Sequence, residues 1–312
     1  MVILKHRQLS SLFSGLNSTV LFNEPMNKYT SFRIGGPAEA MVFPCDETEL
    51  SEIIHIAGSE GIPLFVLGKG TNILVGDKGL QGIVVSLSSH LTGECFRQVT
   101  KIREVNDIVY IYAGAGTALA RLLRYSIQNS LSGLEFTAGI PGSLGGAVIM
   151  NAGSYGREMK DVIDLVRVFN SDGSLTDIPA KDILFTYRGT SIHGTAVAGA
   201  ILRLTKGDHQ KIKKTVEENI LKKRMSQPLS KPSAGSIFKN PGGTTAWKLI
   251  DSAGMRNASA GGASVSPIHA NFIVNNGTAT ADDVMSLIKQ IVRKIEKDTG
   301  TTLELEVKII GS

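Results

Sequence analysis

The chain has 312 residues, with 42% hydrophobic and 20% charged residues, 34 glycines and a formal net charge of +5. This composition predicts a globular protein of two or three domains and excludes a disordered chain. The positive charge is compatible with nucleic acid or with an anionic small substrate, but no nucleic-acid-binding motif accompanies it. No apolar run approaches the roughly 20 residues of a membrane span, so we expect neither nucleic acid nor a membrane as partner.

The cysteines and histidines form no site pattern. Cys45 and Cys95 are far apart and form no Cys-x-x-Cys pair, which predicts a reducing, cytoplasmic location without a disulfide framework. The six histidines are scattered without zinc-site spacing, so we predict no metal. Lys5 and Arg7 precede a segment that polar residues and Gly15 interrupt, so a signal peptide is not expected.

The first strongly patterned segment predicts a helix. Apolar residues recur at helical spacing between Asp46, which is a good capping residue, and Gly61, which ends the pattern. The segments PLFVLG and GIVVSL then predict strands on either side of a glycine-rich loop at residues 68–72. Residues 46–87 therefore resemble a small βαβ-type unit.

A second glycine-rich stretch follows a strand-like region at residues 96–113 and a helix that Thr117 is predicted to cap. The stretch covers residues 134–156, LEFTAGIPGSLGGAVIMNAGSYG, and only Glu135 in it carries a formal charge. It is too rich in glycine for a good helix and too apolar for a solvated linker. We infer that something lies very close to this backbone.

The second half of the chain begins with a hairpin. VIDLVRVF and SLTDI flank the turn Asp172-Gly173, and DILFTYR and AVAGAILRL predict two more strands. Asp208 opens a long helix that carries the densest basic cluster, which we interpret as a solvated face, and a domain boundary is placed just before it. A polar loop, an amphipathic helix ended by Gly300 and a final strand LELEVKII complete the pattern.

The two glycine-rich loops, residues 68–72 and 138–146, are candidate phosphate sites. Such loops expose several backbone N–H groups, and no Cβ blocks the approach of an anion. Two loops together can hold a pyrophosphate from both sides. Neither loop has the Walker A pattern, and the first lacks the third glycine of a Rossmann fingerprint. Simple turns in a glycine-rich β-protein remain the alternative.

Seven motifs occur in a characteristic order along the chain. They are YTSFRIGGPAEA, VLGKGTNILVGDKGLQGIVV, AGIPGSLGGAVIMNAGSYG, TYRGTS, PSAGSIFKNP, HANFIVN and LELEV. Together they resemble the UDP-N-acetylenolpyruvoylglucosamine reductases, flavoenzymes of peptidoglycan precursor synthesis. The resemblance covers nearly the whole chain, and the first 25 or so residues are its least marked part.

The resemblance implies an α+β fold. Its FAD-binding domain would be of the vanillyl-alcohol-oxidase (PCMH) type, with two α+β subdomains, followed by a C-terminal α+β substrate-binding domain. FAD would lie between the subdomains, with its pyrophosphate on the two glycine-rich loops. The implied divisions are an N-terminal extension at 1–30, the FAD-binding domain at 31–207 with subdomains at about 31–90 and 91–207, and the substrate domain at 208–312 with a last strand at 301–312.

The resemblance also implies which residues contact the cofactor. Gly145, Gly146 and Ala147 would let the flavin ring approach, and Asn151 would offer amide hydrogen bonds. The full set of cofactor-binding residues that it implies is Gly68, Lys69, Gly70, Thr71, Asn72, Gly139, Pro141, Gly142, Ser143, Gly145, Gly146, Ala147 and Asn151.

The implied reaction reduces UDP-N-acetylglucosamine enolpyruvate to UDP-N-acetylmuramate, with NADPH and FAD as cofactors. Hydride would pass from NADPH to FAD, and then from flavin N5 to the β-carbon of the enolpyruvyl group. Negative charge builds up at the adjacent carbon, so the site needs a cation to hold that charge and an acid to protonate the carbon.

Three catalytic residues carry over from the family motifs. Arg188, directly after Tyr187, would hold the substrate carboxylate, because a guanidinium fork matches it. Ser236 would donate the proton; a serine is a poor acid alone, and we infer that nearby Lys239 makes its alkoxide less costly. By spacing alone, a surface salt bridge for the arginine and a turn-capping hydroxyl for the serine remain open.

Glu306 is the third carried-over catalytic residue and would orient a water or the serine, or relay a proton. On a strand, Glu304 would point to the same face, so the pattern alone leaves the choice open. The family motif places its glutamate directly before valine, which selects Glu306. The implied substrate-binding residues are Tyr187, Lys239, Asn240 and His269; for the histidine, a packed or capping role is the alternative.

The chain departs from the family pattern at a few positions. Thr71 and Thr190 stand where serine is usual, and Leu305 replaces a common proline. No room remains for an extra tyrosine-bearing loop, so the chain resembles the shorter subgroup. An oxidase on the same flavin fold, a non-catalytic flavin carrier and a basic nucleic-acid-binding protein are the alternatives. No obligate protein partner is evident.

Overall fold

The computed structural model describes residues 11–194 and 196–312. The predictions about Lys5 and Arg7 therefore lie outside the described residues. The chain forms two compact units, each of which is discontinuous in sequence. The first unit comprises the described residues up to Asn23 with Glu39–Lys69 and Gly82–Leu221, and the second comprises Glu24–Ala38, Gly70–Gln81 and Lys222–Ser312.

The described residues contain six α-helices, and strands and helices are numbered here in chain order. The helices are α1 (Glu47–Ser59), α2 (Leu119–Gln128), α3 (Leu144–Ile149), α4 (His209–Ser226), α5 (Ala246–Ser252) and α6 (Ala281–Thr299). The strands are β1 (Thr19–Pro25), β2 (Pro37–Phe43), β3 (Leu64–Leu67), β4 (Ile73–Val75), β5 (Leu80–Ser86), β6 (Val99–Val105), β7 (Ile108–Gly114), β8 (Leu131–Ser132), β9 (Gly153–Ser154), β10 (Arg157–Glu158), β11 (Ile163–Phe169), β12 (Leu175–Pro179), β13 (Phe185–Thr186), β14 (Gly189–Thr190), β15 (Ala196–Lys206), β16 (Ser259–Ala260), β17 (Ala263–Val265), β18 (Ile273–Asn275) and β19 (Lys308–Ile310).

The first unit is built around a six-stranded sheet in the order β12–β11–β15–β7–β6, with β8 paired to the end of β15. Along β7, Val109, Ile111 and Ala113 are buried in the core, whereas the alternating residues Tyr110 and Tyr112 are only half-buried. This alternation buries one face of the sheet. A four-stranded sheet has the order β1–β2–β5–β3, in which β3 and β5 run parallel.

Several sequence predictions for the first unit are confirmed. Helix α1 begins after Asp46, whose carboxylate accepts the N–H of Glu49 at 2.9 Å. Strands β6 and β7 occupy the region that was predicted to be strand-like, and β11 and β12 form the predicted hairpin. Helix α4 begins directly after Asp208, whose carboxylate accepts the N–H of Lys211 at 2.8 Å.

Three local predictions in this unit are wrong. The cap of α2 is Ala118, because the hydroxyl of Thr117 donates to the carbonyl of Gln98 at 3.3 Å instead. The segment DILFTYR forms only the two-residue strand β13, since the chain turns back directly into β14. The glycine-rich stretch does contain a helix, the short α3, which begins after Ser143.

The second unit has its own core, to which α6 contributes Val284, Leu287 and Ile291. Thr280 and Asp283 form a capping box at the start of α6, and Gly300 ends it with a φ of 68°. Strands β16, β17 and β18 form a small antiparallel sheet, and β4 pairs with β19 in parallel. The predicted final strand is shorter than expected, because only Lys308–Ile310 of it is regular strand.

The predicted domain limits remain a prediction. The boundary placed before Asp208 falls within the first unit, since Val216 of α4 packs in the core of that unit. No helix in the described part of the chain is long and apolar enough to cross a membrane. Across residues 11–194 and 196–312, no group of three or more His, Cys, Asp or Glu side chains is placed to hold a metal ion.

Candidate active site

The two glycine-rich loops meet in the first unit. Gly68 directly follows β3, and a Cβ built on it would lie 2.3 Å from the hydroxyl oxygen of Ser143. Ser143 is buried and is bridged to Ala118 at the start of α2. The backbone at Gly68 is therefore bare because the second loop lies directly against it, which brings the two predicted phosphate loops together.

The glycines of the second loop differ in backbone conformation and in what surrounds them. Gly139 has a φ of 71° and Gly142 a φ of 147°, values that favour glycine. Gly145 is buried, its N–H donates to the carbonyl of Ala115 at 2.8 Å, and a Cβ on it would lie 2.9 Å from the Ala115 side chain. Gly146 is exposed, and the nearest atom to its Cβ position is 3.7 Å away. The protein itself fills the space at Gly145, whereas Gly146 has open space at its Cβ position.

The remaining residues of the first loop belong to the second unit. Gly70 has a φ of 58°, and a Cβ there would lie 2.1 Å from the carbonyl oxygen of Tyr29, so packing within the protein requires glycine. Thr71 is half-buried. The amide of Asn72 donates to the carbonyl of Glu306 at 3.2 Å, and the carbonyl of Asn72 accepts the N–H of Lys308 at 3.0 Å.

The first-unit loops fit an FAD pyrophosphate. Lys69, Gly139, Pro141 and Gly146 are exposed, so the bare backbone and one ammonium group are accessible on the same pair of loops. Ala147 is buried and its N–H donates to the carbonyl of Ser143 at 2.9 Å, which fixes the turn into α3. Backbone N–H groups that no Cβ shields are what a phosphate needs.

Asn151 is fully buried, and its side chain is occupied within the first unit. Its amide nitrogen donates to the carboxylate of Glu158 at 2.9 Å and to the carbonyl of Thr186 at 3.1 Å. Its amide oxygen accepts the N–H of Lys160 at 3.0 Å. These bonds connect the glycine-rich stretch to the β13–β14 hairpin, and a contact of Asn151 with FAD stays a prediction.

That hairpin carries Arg188. Tyr187 and Arg188 form the two-residue turn between β13 and β14, and Arg188 has a φ of 61°. A non-glycine residue in this conformation costs about 1–2 kcal/mol, and such strain often accompanies functional positions. The guanidinium lies 4.9 Å from the ring of Tyr187, which is 46% exposed. On the other strand, the hydroxyl of Thr190 donates to the carbonyl of Ile149 at 3.4 Å.

In the second unit the segment after Ser236 runs beside the segment of Glu306. The carbonyl of Ile237 accepts the N–H of Glu306 at 2.8 Å, and Phe238 is bridged to Leu305. Asn271 fixes the other edge of this segment, because its side-chain oxygen accepts the N–H of Phe238 at 2.9 Å. The fold thus brings two of the three predicted catalytic residues onto adjacent backbone segments.

Lys239 distinguishes the two glutamates. The side-chain ammonium of Lys239 lies 3.2 Å from the carboxylate of Glu304. The backbone N–H of Lys239 donates to the backbone carbonyl of Glu304 at 2.8 Å. The Glu304 side chain is 75% exposed, whereas Glu306 is half-buried. This pairing favours Glu306 as the functional carboxylate and gives Lys239 a partner other than Ser236.

The other predicted substrate residues have internal contacts. His269 lies edge-on to Phe272 with ring centroids 4.9 Å apart, and its Nδ1 accepts the N–H of Asn271 at 3.3 Å. Burial first, and then the charge of Arg256, lower the pKa of His269, so the ring is neutral at neutral pH. The side-chain oxygen of Asn240 accepts the N–H of Ala246 at the start of α5.

A cavity of about 530 Å³ lies elsewhere in the first unit, and no predicted site residue lines it. It is lined in part by Glu47 at the start of α1 and by Tyr112 and Arg167 of the six-stranded sheet. Burial, the largest cause, raises the pKa of Tyr112 to about 12. The residues of the quoted motifs lie instead in the glycine-rich loops, the β13–β14 hairpin and the Ser236 segment.

Comparison with known proteins first defines the class. Residues 38–179 match the family described as the FAD binding domain, which contains the glycine-rich loops and Asn151. The chain is therefore an FAD-binding protein. Residues 227–310 match the C-terminal domain of UDP-N-acetylenolpyruvoylglucosamine reductase, which contains Ser236, His269 and Glu306.

Similar proteins then define the family. The chain is 42% identical to the UDP-N-acetylenolpyruvoylglucosamine reductase of Caldanaerobacter subterraneus subsp. tengcongensis over 93% of both chains, and 44% identical to that of Agathobacter rectalis over 94% of both. The crystal structure of the reductase from Thermus caldophilus matches with a TM-score of 0.78 and 32% identity, over 94% of this chain and 99% of that one. The chain belongs to the UDP-N-acetylenolpyruvoylglucosamine reductase family.

These findings confirm the predicted family, the α+β fold with an FAD-binding domain, the oxidoreductase class and FAD as cofactor. The roles of individual site residues stay predictions. Sequence reasoning missed the contacts of Asn151 with the hairpin and a link from Ser31 to Ser233. Both residues lie inside quoted motifs, and only the fold could have identified their partners.

Proposed function

We propose that the chain is an NADPH-dependent enzyme that reduces UDP-N-acetylglucosamine enolpyruvate to UDP-N-acetylmuramate. The observation that supports this most directly is the adjacency of Ser236 and Glu306 in a family member whose bare-backbone loops meet at Gly68 and Ser143. Residues 68–69 and 139–146 would hold the FAD pyrophosphate. Bound FAD would supply hydride, taken from NADPH, to the β-carbon of the enolpyruvyl group.

Arg188 would hold the substrate carboxylate and the negative charge that develops beside it. Arg188 stands in a strained two-residue turn, which fixes the backbone from which its side chain extends. The hydrogen bonds that Asn151 and Thr190 make hold both strands of that hairpin in place. A fixed cation needs no reorganisation when charge develops, which is the basis of electrostatic catalysis. Tyr187 beside it would contact the substrate through its exposed ring.

Ser236 would give the proton to the α-carbon, which bears the developing charge. Glu306 would orient the serine or a water, because its backbone is fixed to the residue that follows Ser236. Lys239, Asn240 and His269 would contribute substrate contacts. A neutral His269 can do so only as a hydrogen-bonding or packing group, since its lowered pKa keeps the ring uncharged at neutral pH.

We also propose that the enzyme acts in the cytoplasm on its small-molecule substrate, without an obligate protein partner. Both cysteines are free, and desolvation is the largest of the causes that raise the pKa of Cys45 to about 11, so this thiol is inert at neutral pH. Free thiols are expected in a reducing compartment. Fractionation of cells that produce the tagged chain tests the location, and membrane or secreted recovery would contradict it.

An anaerobic spectrum tests the function. NADPH is added to the purified protein, the flavin band is followed, and the enolpyruvyl substrate is then added. We expect bleaching by NADPH and recovery of the band only with that substrate. A yellow protein that NADPH does not reduce would agree with the flavin-binding fold and support an oxidase. A colourless protein that FAD cannot reconstitute would refute every flavin-based function.

A further inference from the structure

Ser31 connects two segments of the second unit that the proposed function treats separately. It lies in the motif YTSFRIGG, to which the proposed mechanism assigns no role. Its N–H donates to the carbonyl of Gly70 at 3.0 Å. Its hydroxyl donates to the carbonyl of Ser233 at 2.6 Å and lies 3.3 Å from the carbonyl of Gly70. The single hydroxyl proton is therefore directed at Ser233, because that contact is the shorter one.

The contact with Gly70 is rigid. No side chain fits on Gly70, since its Cβ position is 2.1 Å from the Tyr29 carbonyl oxygen and 3.1 Å from the Cα of Thr30. Ser31 thus rests on the backbone of the glycine-rich loop with no flexible side chain between them. A displacement of Ser31 would require the loop itself to move.

The contact with Ser233 restrains the approach to Ser236. Two residues separate Ser233 from Ser236. Ala234 is 1% exposed, and Gly235 has a φ of 75° and no atom within 4 Å of its Cβ position. Glycine is the residue about which a backbone turns most freely. On the far side of Ser236, the carbonyl of Asn271 accepts the N–H of Ile237 at 2.9 Å. On the near side, the N–H of Asn275 donates to the carbonyl of Pro232 at 2.9 Å, and the hydroxyl of Ser31 donates to the carbonyl of Ser233, the next residue, which is the last side-chain restraint before the turn at Gly235. Ser236 itself is bridged to Phe272.

We propose that Ser31 is a positioning residue for the protonation step: it fixes Ser236 relative to the glycine-rich loop at Gly70. This inference rests on the proposed function, in which Ser236 donates the proton. Proton transfer depends steeply on the distance between donor and acceptor, and a misplacement of 1 Å can reduce a rate about 100-fold. Reduction of the flavin by NADPH needs no proton from Ser236, so it does not depend on Ser31.

The test compares Ser31→Ala with the wild type in each half-reaction by anaerobic stopped flow. We expect reoxidation of the reduced flavin by the enolpyruvyl substrate to slow about tenfold, which is about 1.4 kcal/mol of activation free energy. Reduction by NADPH should stay within about twofold. The solvent deuterium isotope effect on reoxidation should rise, because protonation becomes more rate-limiting. Ser31→Thr, which keeps the hydroxyl, should restore most of the rate.

Ser264→Ala is the matched control, because it also removes one side-chain hydrogen bond from the second unit, at 3.0 Å to Asn276. Equal effects of Ser31→Ala and Ser264→Ala, or an equal loss in both half-reactions, would overturn the positioning role. If Ser31→Ala does not fold, Ser31→Cys, which keeps the volume with a weak donor, must show the same selective loss; failure of both to fold would assign Ser31 to stability alone.

The two hypotheses fail differently in this experiment. Wild-type protein that the enolpyruvyl substrate does not reoxidise would refute the proposed function, and the role of Ser31 with it. Wild-type protein that turns over normally beside a Ser31→Ala variant with the same reoxidation rate would refute only the role of Ser31.

Discussion

The buried amide of Asn151 is the sharpest point at which to perturb the first unit. Asn151→Ala removes two donated hydrogen bonds and one accepted hydrogen bond from a site with 0% exposure. Each bond contributes about 1 kcal/mol net, and the one to the Glu158 carboxylate contributes more because it is charge-assisted. The φ of 39° at Asn151 adds a further penalty, since alanine tolerates this region less well than asparagine. We expect a loss of about 3–4 kcal/mol.

Denaturant unfolding of the apoprotein measures this loss directly. Since each kcal/mol lowers the Tm by about 2–4 °C in domains of 150–250 residues, the melting temperature should fall by about 10 °C. Asn151→Gly should be less destabilised than Asn151→Ala by about 1 kcal/mol, because glycine accepts the backbone conformation. Substrate-dependent reoxidation should also slow, since the hairpin that carries Arg188 loses its bond at Thr186.

Asn170→Ala provides the control. Asn170 also donates two side-chain hydrogen bonds in the first unit, to Ser174 and Thr176, but both are solvent-exposed. Water replaces exposed partners, so we expect a loss below about 0.5 kcal/mol. A destabilisation of Asn151→Ala that does not exceed that of Asn170→Ala would refute the claim that Asn151 connects the glycine-rich stretch to the hairpin.

Three further predictions concern the loops, the proton donor and pH. Gly68→Ala should reduce the flavin content of the purified protein, because the new Cβ would lie 2.3 Å from the hydroxyl oxygen of Ser143. Gly68→Ala combined with Ser143→Ala should recover the flavin content, because the Cβ of residue 143 is 3.5 Å away and does not clash. No recovery would show that the clash is not the cause. Ser236→Ala should slow reoxidation by substrate by orders of magnitude more than reduction by NADPH, and full turnover would remove Ser236 from the mechanism. Burial, the largest influence, disfavours the charged form of Glu49, but hydrogen bonds from the Ser18 hydroxyl and the Asn17 N–H together lower the pKa of this carboxyl. The carboxylate therefore stabilises the fold at pH values above the unfolded-state pKa. This stabilisation is lost as the pH falls through the lower pKa of the folded state. The difference in unfolding free energy between wild type and Glu49→Gln should therefore shrink between pH 7 and pH 3, and a difference that is independent of pH would contradict this linkage.

Elements with strong periodicity were predictable from the sequence. Helices α1, α4 and α6 follow their apolar stripes and capping residues, because the burial of one face decides their structure locally. The segments DILFTYR and LELEVKII were predicted as strands, yet each has only a short regular part. Composition gave them a strand propensity, but the pairing partner decides where a strand ends, and the partner is not visible in the sequence.

The glycines of the two predicted loops are required by several different neighbours. At Gly68 the bare backbone faces Ser143 of the other loop, at Gly70 it faces Tyr29, and at Gly145 it faces Ala115. The exposed Gly146, by contrast, has open space at its Cβ position. A sequence shows that a Cβ is excluded but not what excludes it. At Gly68, Gly70 and Gly145 the close approach that the sequence predicted is therefore made by the protein itself, and the binding of FAD at the two loops stays a prediction.

The catalytic residues depended on the resemblance rather than on physical signals. A lone arginine after a strand, a serine in a loop and one of two alternating glutamates have no distinguishing spacing. The fold adds a reason for two of them, since Arg188 is held in a strained turn and Glu306 is bonded beside the Ser236 segment. Glu304 is instead paired with Lys239.

That pairing changes the argument about how a serine can act as an acid. We expected the charge of Lys239 to lower the cost of the Ser236 alkoxide, but the ammonium is paired with the Glu304 carboxylate at 3.2 Å, which offsets part of that charge. Because Lys239 is shared with Glu304, accurate placement of the Ser236 hydroxyl becomes more important. On one side of Ser236 the N–H of Ile237 donates to the carbonyl of Asn271, and on the other the hydroxyl of Ser31 donates to the carbonyl of Ser233; these bonds restrict where the Ser236 hydroxyl can lie. A weak acid held at the reacting carbon can protonate a strongly basic carbanion, whereas the same acid displaced from it cannot.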